Sequence, residues 1–147
     1  MADDVELSIG LILFPTDFTE VSRKAQRYVS GLARQLGAKV HVLHVIESIG
    51  DAAGDGELDA FYASLKGQAE RQLDQIVAAL RFGHLGADWQ VILGRRVPAI
   101  IQRAQELPAD LIVMGSHGLR PDRQFLPGST SQRVPLVAPC PVLLVPS

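Results

Sequence analysis

Residues 110–130 read DLIVMGSHGLRPDRQFLPGST. Leu111-Ile112-Val113-Met114 is apolar at every position, which fits a strand covered on both faces. Glycines follow at Gly115, Gly118 and Gly128, and hydroxyls follow the last of them at Ser129 and Thr130. The segment after Gly128 is expected to be a short helix. A buried strand leading through a glycine-rich loop into a helix N-terminus is a local plan of α/β sheets.

The chain on either side alternates in the same way. Ile9–Phe14 is an apolar run expected as the first strand. Thr19 can cap the helix that follows, whose apolar positions Val21, Ala25, Tyr28, Val29, Leu32, Ala33 and Leu36 keep a 3.6 period until Gly37 stops it. Lys39–Val45 reads as strand two. Residues 47–57, ESIGDAAGDGE, have no period and read as a mobile loop. Leu58, Phe61, Leu65, Leu73, Ile76, Val77 and Leu80 mark a second helix ending near Gly83. Asp88–Leu93 reads as strand three, and Pro98 suits the first turn of a third helix with Ile100, Ile101 and Ala104 inward. Asp110–Met114 is strand four and Pro141–Val145 strand five. These elements predict one domain spanning residues 1–147, a doubly wound α/β fold. Its parallel five-stranded sheet carries helices on both faces.

Composition narrows the function. The 147 residues are 47% hydrophobic with a net charge of −2, so a general nucleic-acid footprint is not expected. The only cysteine is Cys140, so no internal disulfide can form, which fits a reducing compartment. The N-terminal MADDVELSIG has acids and no basic stretch, and no apolar run approaches the roughly 18 residues of a membrane span. The expectation is a cytoplasmic protein.

In open α/β sheets a ligand binds beyond the carboxyl ends of the strands, where strand order reverses. With the order 3-2-1-4-5, the loop Pro15–Phe18 after strand one and the glycine loop after strand four would share that crevice. Glycines let backbone N–H groups approach a phosphate, and a helix N-terminus adds unpaired N–H groups. Gly128, Ser129 and Thr130 stand where such a helix begins, and Arg120, Arg123 and Arg133 raise the local positive charge. The same glycines and hydroxyls also fit a plain turn with Ser129 as helix cap, and the three arginines taken separately read better as solvated surface than as ligands. Asp17 can accept hydrogen bonds from a ribose or an adenine amino group, or it can start a helix. Val45 can border an adenine ring with its backbone, or be core. There is no G-x-x-x-x-G-K-[ST] and no G-x-G-x-x-G after strand one, so neither a P-loop nor a dinucleotide site is expected.

Gly115-x2-Gly118-x9-Gly128-Ser129 resembles the G-x2-G-x9-G-[S/T] signature of the ATP-binding branch of the universal stress protein family. LFPTDFTEVSRKA, VHVLHV, ADLIVMGSHG and APCPVLLV resemble that family at its first, second, fourth and fifth strands. The resemblance covers nearly the whole chain. It implies a Rossmann-like sheet of order 3-2-1-4-5 and ATP (or AMP or ADP) in the crevice, with Mg²⁺ or Mn²⁺ at the phosphates. Pro15, Thr16, Asp17 and Val45 would then meet the adenosine part. Met114, Gly115, Gly118 and Arg120 would line the loop, and Gly128, Ser129 and Thr130 would hold phosphates. It also implies a homodimer paired through strand 141–145 and an unidentified protein partner, with no role for nucleic acid or membrane.

The function implied is a regulatory stress-response module with at most slow ATP hydrolysis, not an enzyme. Related ATP-cleaving, adenylating enzymes carry S-G-G-x-D-S after strand one, where this chain reads PTDFTE. The family's nucleotide-free dimeric scaffolds usually lack the glycine signature. Three prolines depart from the family pattern: Pro127 before Gly128, Pro135 inside the short fourth helix, and Pro98 two residues later than usual. Pro135 is expected to remove a hydrogen bond and kink or shorten its helix. No catalytic residue emerges. His117 reads as loop structure, His41 and His44 point to opposite sheet faces, and Cys140 reads as a small buried hydrophobe.

Overall fold

In the computed structural model, residues 6–48, 56–116 and 129–147 are described. Nine elements alternate along them: β1 (Leu11–Pro15), α1 (Glu20–Leu36), β2 (Lys39–Glu47), α2 (Gly56–Phe82), β3 (Ala87–Gly94), α3 (Arg96–Glu106), β4 (Leu111–Ser116), α4 (Thr130–Val137) and β5 (Val142–Pro146). The strands form one parallel sheet in the order β3-β2-β1-β4-β5. The expected fold class and strand order are therefore both found.

Strand parity sorts the core into two layers. Ile12, Phe14, Val40, Val42 and Val113 pack with Ala25, Val29 and Ala33 of α1 and Leu73, Val77 and Leu80 of α2. Leu13, Leu43, Val45, Ile112 and Met114 pack on the other face with Val97, Ile100 and Ala104 of α3 and Val134 of α4. Each central strand is apolar at successive positions because both of its faces are covered.

The helix signals act where expected. Thr19 caps α1, its side chain accepting from the Ser22 amide, and Gly37 ends α1 at φ 66°, a conformation in which a Cβ would be strained. Pro98 lies in the first turn of α3. Pro135 does not end α4, which continues to Val137 with the Ala138 N–H bonded to the Val134 carbonyl.

Some boundaries and burials differ from the sequence reading. β1 begins at Leu11, because the Gly10 and Leu11 amides are drawn to the Asp110 carboxylate, at 2.9 and 3.0 Å. β2 runs on to Glu47 alongside a long β3. Tyr28, Leu36 and Phe61 carry the helical period yet are exposed, and Ser22 of α1 is buried in place of a larger apolar residue. The loop expected to be mobile lies largely in residues 49–55, outside the described residues.

Candidate functional site

Three strand ends meet beside the point where the sheet order reverses, since β1 pairs with both β2 and β4. Beyond them lies a cavity of about 310 Å³, at the lower end of the roughly 300–1,000 Å³ typical of small-ligand sites. Pro15, Thr16 and Asp17 approach it from β1, Val45 from β2, Met114 and Gly115 from β4, and Ser129 and Thr130 from the start of α4. All eight were expected from the sequence to share one site. The other three, Gly118, Arg120 and Gly128, lie outside the described residues, as do His117, Arg123 and Pro127.

The floor is apolar. Leu43 and Val45 project from one face of β2, Met114 comes from β4, and Ile100 closes the side from α3. A flat ring fits such walls. The rim is polar, with Asp17, Ser22 and the hydroxyls of Ser129, Thr130 and Ser131. Glu47 and Arg96 stand at the mouth with Glu47 Oε1 3.8 Å from Arg96 Nε, and both side chains are about half exposed. That pair contributes little to stability, so its charges remain available to a ligand.

Backbone hydrogen bonds hold the β1 loop in place. The Thr16 amide donates to the Leu43 carbonyl at 2.9 Å, and His44 Nδ1–H donates to the Thr16 carbonyl at 2.7 Å. The His44 ring stacks on Phe18 with centroids 4.3 Å apart. Phe18 has φ 65°, a left-handed conformation that is costly for an aromatic residue. Strain of this kind concentrates where a loop must hold one shape. Burial lowers the His44 pKa, and Arg96 adds to this, while the Thr16 hydrogen bond and Asp17 pull it back up.

Asp17 takes both of the roles left open by the sequence. Its Oδ1 accepts from the Thr19 amide at 3.1 Å, the Thr19 hydroxyl at 2.5 Å and the Ser22 hydroxyl at 2.6 Å, so it organises the start of α1. It also borders the cavity. Gly115 likewise has a packing reason beyond lining the loop. A Cβ there would lie 2.6 Å from Val21 Cγ1 and 3.0 Å from the Val21 backbone, so only glycine lets α1 sit this close to β4. Ser129 is the N-cap residue of α4 but makes no side-chain cap hydrogen bond. Its hydroxyl lies 3.5 Å from that of Ser131 instead.

The sequence reading missed Ser22, Leu43, Glu47, Arg96, Ser131 and the role of Ile100 in the cavity wall. Leu43 was within reach, since it shares its face of β2 with Val45. Arg96 carried no signal, because α3 approaches the crevice only through the crossover. His41 and His44 do face opposite sides of the sheet. His41 is buried, with Nδ1 2.6 Å from the Asp88 carboxylate and Nε2 accepting from Arg103 Nε at 3.4 Å. Cys140 is partly buried against the α3–α4 core layer, and burial raises its thiol pKa.

The sequence model of the universal stress protein family matches residues 9–146. A universal stress protein of Thermus aquaticus is 36% identical over 135 residues, covering 91% of this chain and 96% of its own. Among solved structures, the universal stress protein UspA from Lactobacillus plantarum superposes with a TM-score of 0.82 at 22% identity, covering 94% of this chain and 98% of its own. A universal stress protein from Archaeoglobus fulgidus, solved in complex with dAMP, gives 0.65 at 22% identity over 95% of this chain and 98% of its own. The chain therefore belongs to the universal stress protein family.

Proposed function

We propose that this chain is an ATP-binding regulatory module of the cytoplasm, with at most slow hydrolysis. The observation that carries the reading is the convergence of Pro15, Thr16, Asp17, Val45, Met114, Gly115, Ser129 and Thr130 on one cavity with an apolar floor and a hydroxyl-bearing rim. The adenine would lie between Val45 and Met114, with Asp17 near the ribose. The phosphates would meet the α4 N-terminus, whose amides have no side-chain cap from Ser129. The dAMP complex of the Archaeoglobus relative supports an adenine nucleotide as the ligand class.

A divalent ion, Mg²⁺ or Mn²⁺, would accompany the phosphates and neutralise their charge. Among the described residues no group of three or more His, Cys, Asp or Glu side chains could hold one alone, so the chain would supply the Ser129 and Thr130 hydroxyls. The regulatory reading is supported by how the polar groups are used. Asp17 Oδ1 is occupied by α1, and His44 Nδ1 by the Thr16 carbonyl. A second copy would pair along β5, whose other neighbour in the sheet is β4.

The test is to purify the protein without added nucleotide, denature it and identify what is released by chromatography and mass spectrometry, then to titrate ATP. About one adenine nucleotide per chain, or saturable binding, supports the reading. No binding at millimolar ATP leaves a nucleotide-free scaffold. Among the described residues no helix is long and apolar enough to cross a membrane.

A further inference from the structure

A second cavity, of about 320 Å³, adjoins the first and shares Glu47, Arg96 and Thr130 with it. Its chemistry is different. Among the described residues, Arg95, Arg96 and Arg133 line it against the single carboxylate of Glu47. Arg95 and Arg96 sit where β3 passes into α3, and Arg133 lies one turn into α4. Three guanidinium groups gathered at one opening are unexpected in a chain of net charge −2. Arginines held together repel one another, and of these three only Arg96 has a carboxylate of a described residue within 4.0 Å, namely Glu47 at 3.8 Å.

Two further observations point the same way. The N-cap residue of α3, Arg95, makes no side-chain cap hydrogen bond, and neither does Ser129 at α4. Both helices pack together and start at this opening, so their first amides add partial positive charge to that of the arginines. Guanidinium groups suit phosphate because their fork of N–H donors matches its oxygens.

We propose that one ligand spans both cavities, and that Arg95, Arg96 and Arg133 form a polyphosphate seat that selects nucleotides by phosphate number. This rests on the adenine-nucleotide reading of the first cavity and adds its specificity. The ring occupies the apolar lobe, the first phosphate reaches Thr130 where the lobes join, and further phosphates enter the arginine lobe. A nucleoside monophosphate then fills only the first lobe. Glu47 stands between the lobes and partly offsets Arg96, so Arg95 and Arg133 carry most of the discrimination.

The experiment is calorimetric titration of the full chain with adenosine, AMP, ADP, ATP and inorganic tripolyphosphate, for the wild type and for Arg95→Ala and Arg133→Ala. Affinity is expected to rise from AMP to ATP by about tenfold or more, the effect of a charge-assisted hydrogen bond at a partly exposed site. Each variant should flatten that rise while AMP binds within about twofold of wild type, a margin below the tenfold effect of one charged contact. Tripolyphosphate should compete with ATP in the wild type and lose that ability in the variants.

A rise that survives in both variants, or no rise in the wild type, overturns the seat and leaves the ring reading intact. If no nucleoside compound binds, the ring reading fails. The seat then falls too, unless tripolyphosphate still binds and Arg133→Ala abolishes it. Thermal melting of both variants near the wild-type midpoint ties any lost binding to the exposed guanidinium groups and not to misfolding.

Discussion

Asp17 gathers three hydrogen bonds on Oδ1 while facing the cavity, so its two roles separate only with the right substitution. Asp17→Ala removes both, and should cost about 1–3 kcal/mol of stability through the unmet donors at the start of α1. Asp17→Asn keeps an acceptor oxygen for Thr19 and Ser22 and loses the charge. We expect it to melt near the wild type but to bind AMP, ADP and ATP more weakly by similar factors. If ATP affinity alone fell, Asp17 would belong to the phosphates. Gly115 gives a second prediction. A Cβ 2.6 Å from Val21 Cγ1 and 3.0 Å from the Val21 backbone cannot be absorbed by a side-chain rotation alone. Gly115→Ala should therefore destabilise the fold by about 1–3 kcal/mol, the usual cost of overpacking, seen as a lower urea midpoint. An unchanged midpoint would mean that α1 can move away from β4 freely.

At the scale of an element, the β1–α1 loop depends on a neutral imidazole from β2. Burial disfavours the charged form of His44, so its folded pKa lies below the unfolded value of about 6.5. Between those two values the unfolded chain binds the extra proton and the folded chain does not. The stability tied to neutral His44 is thus complete above about pH 6.5 and is lost as pH falls toward the folded pKa, below which the loss levels off. Asp17 and Arg96 face the same ring with opposite effects, Arg96 deepening the shift and Asp17 reducing it. Urea midpoints measured from pH 8 down to pH 5 should fall in the wild type and fall less in His44→Gln. Equal pH dependence in the two would place the titration elsewhere. Among the other elements, α4 tolerates Pro135 because the residue lies near the end of a short helix, where only one intrahelical N–H bond is forgone.

For the molecule as a whole, β5 is one of the two sheet edges, and the one through which we propose that a second copy pairs. Leu143 and Leu144 point to opposite sides of the strand and are each 37% exposed, and Leu136 and Val137 nearby are more so. An apolar edge strand left unpaired invites another strand. We expect sedimentation of the wild type as a dimer and of Leu143→Asp as a monomer, with nucleotide binding retained in the variant. A monomeric wild type at micromolar concentration would remove β5 pairing from the description.

The alternation of strands and helices is written in the order of residues. A strand buried on both faces must be continuously apolar, as Leu111–Met114 is, and an amphipathic helix must carry a 3.6 period, as α1 does. Gly115, Ser129 and Thr130, singled out in the sequence by their residue types, do border the cavity. Tertiary structure alone decided which of those periodic residues are buried. Tyr28 and Phe61 are about half exposed although they keep the apolar period of their helices, an outcome that periodicity does not encode. It also decided that Arg96 and Ile100 meet Val45 and Thr130. These residues come from α3, β2 and α4, and only sheet order and helix packing bring them together. The arginine lobe belongs to the same class, since Arg95 and Arg133 are far apart in the chain and share an opening only because α3 packs against α4.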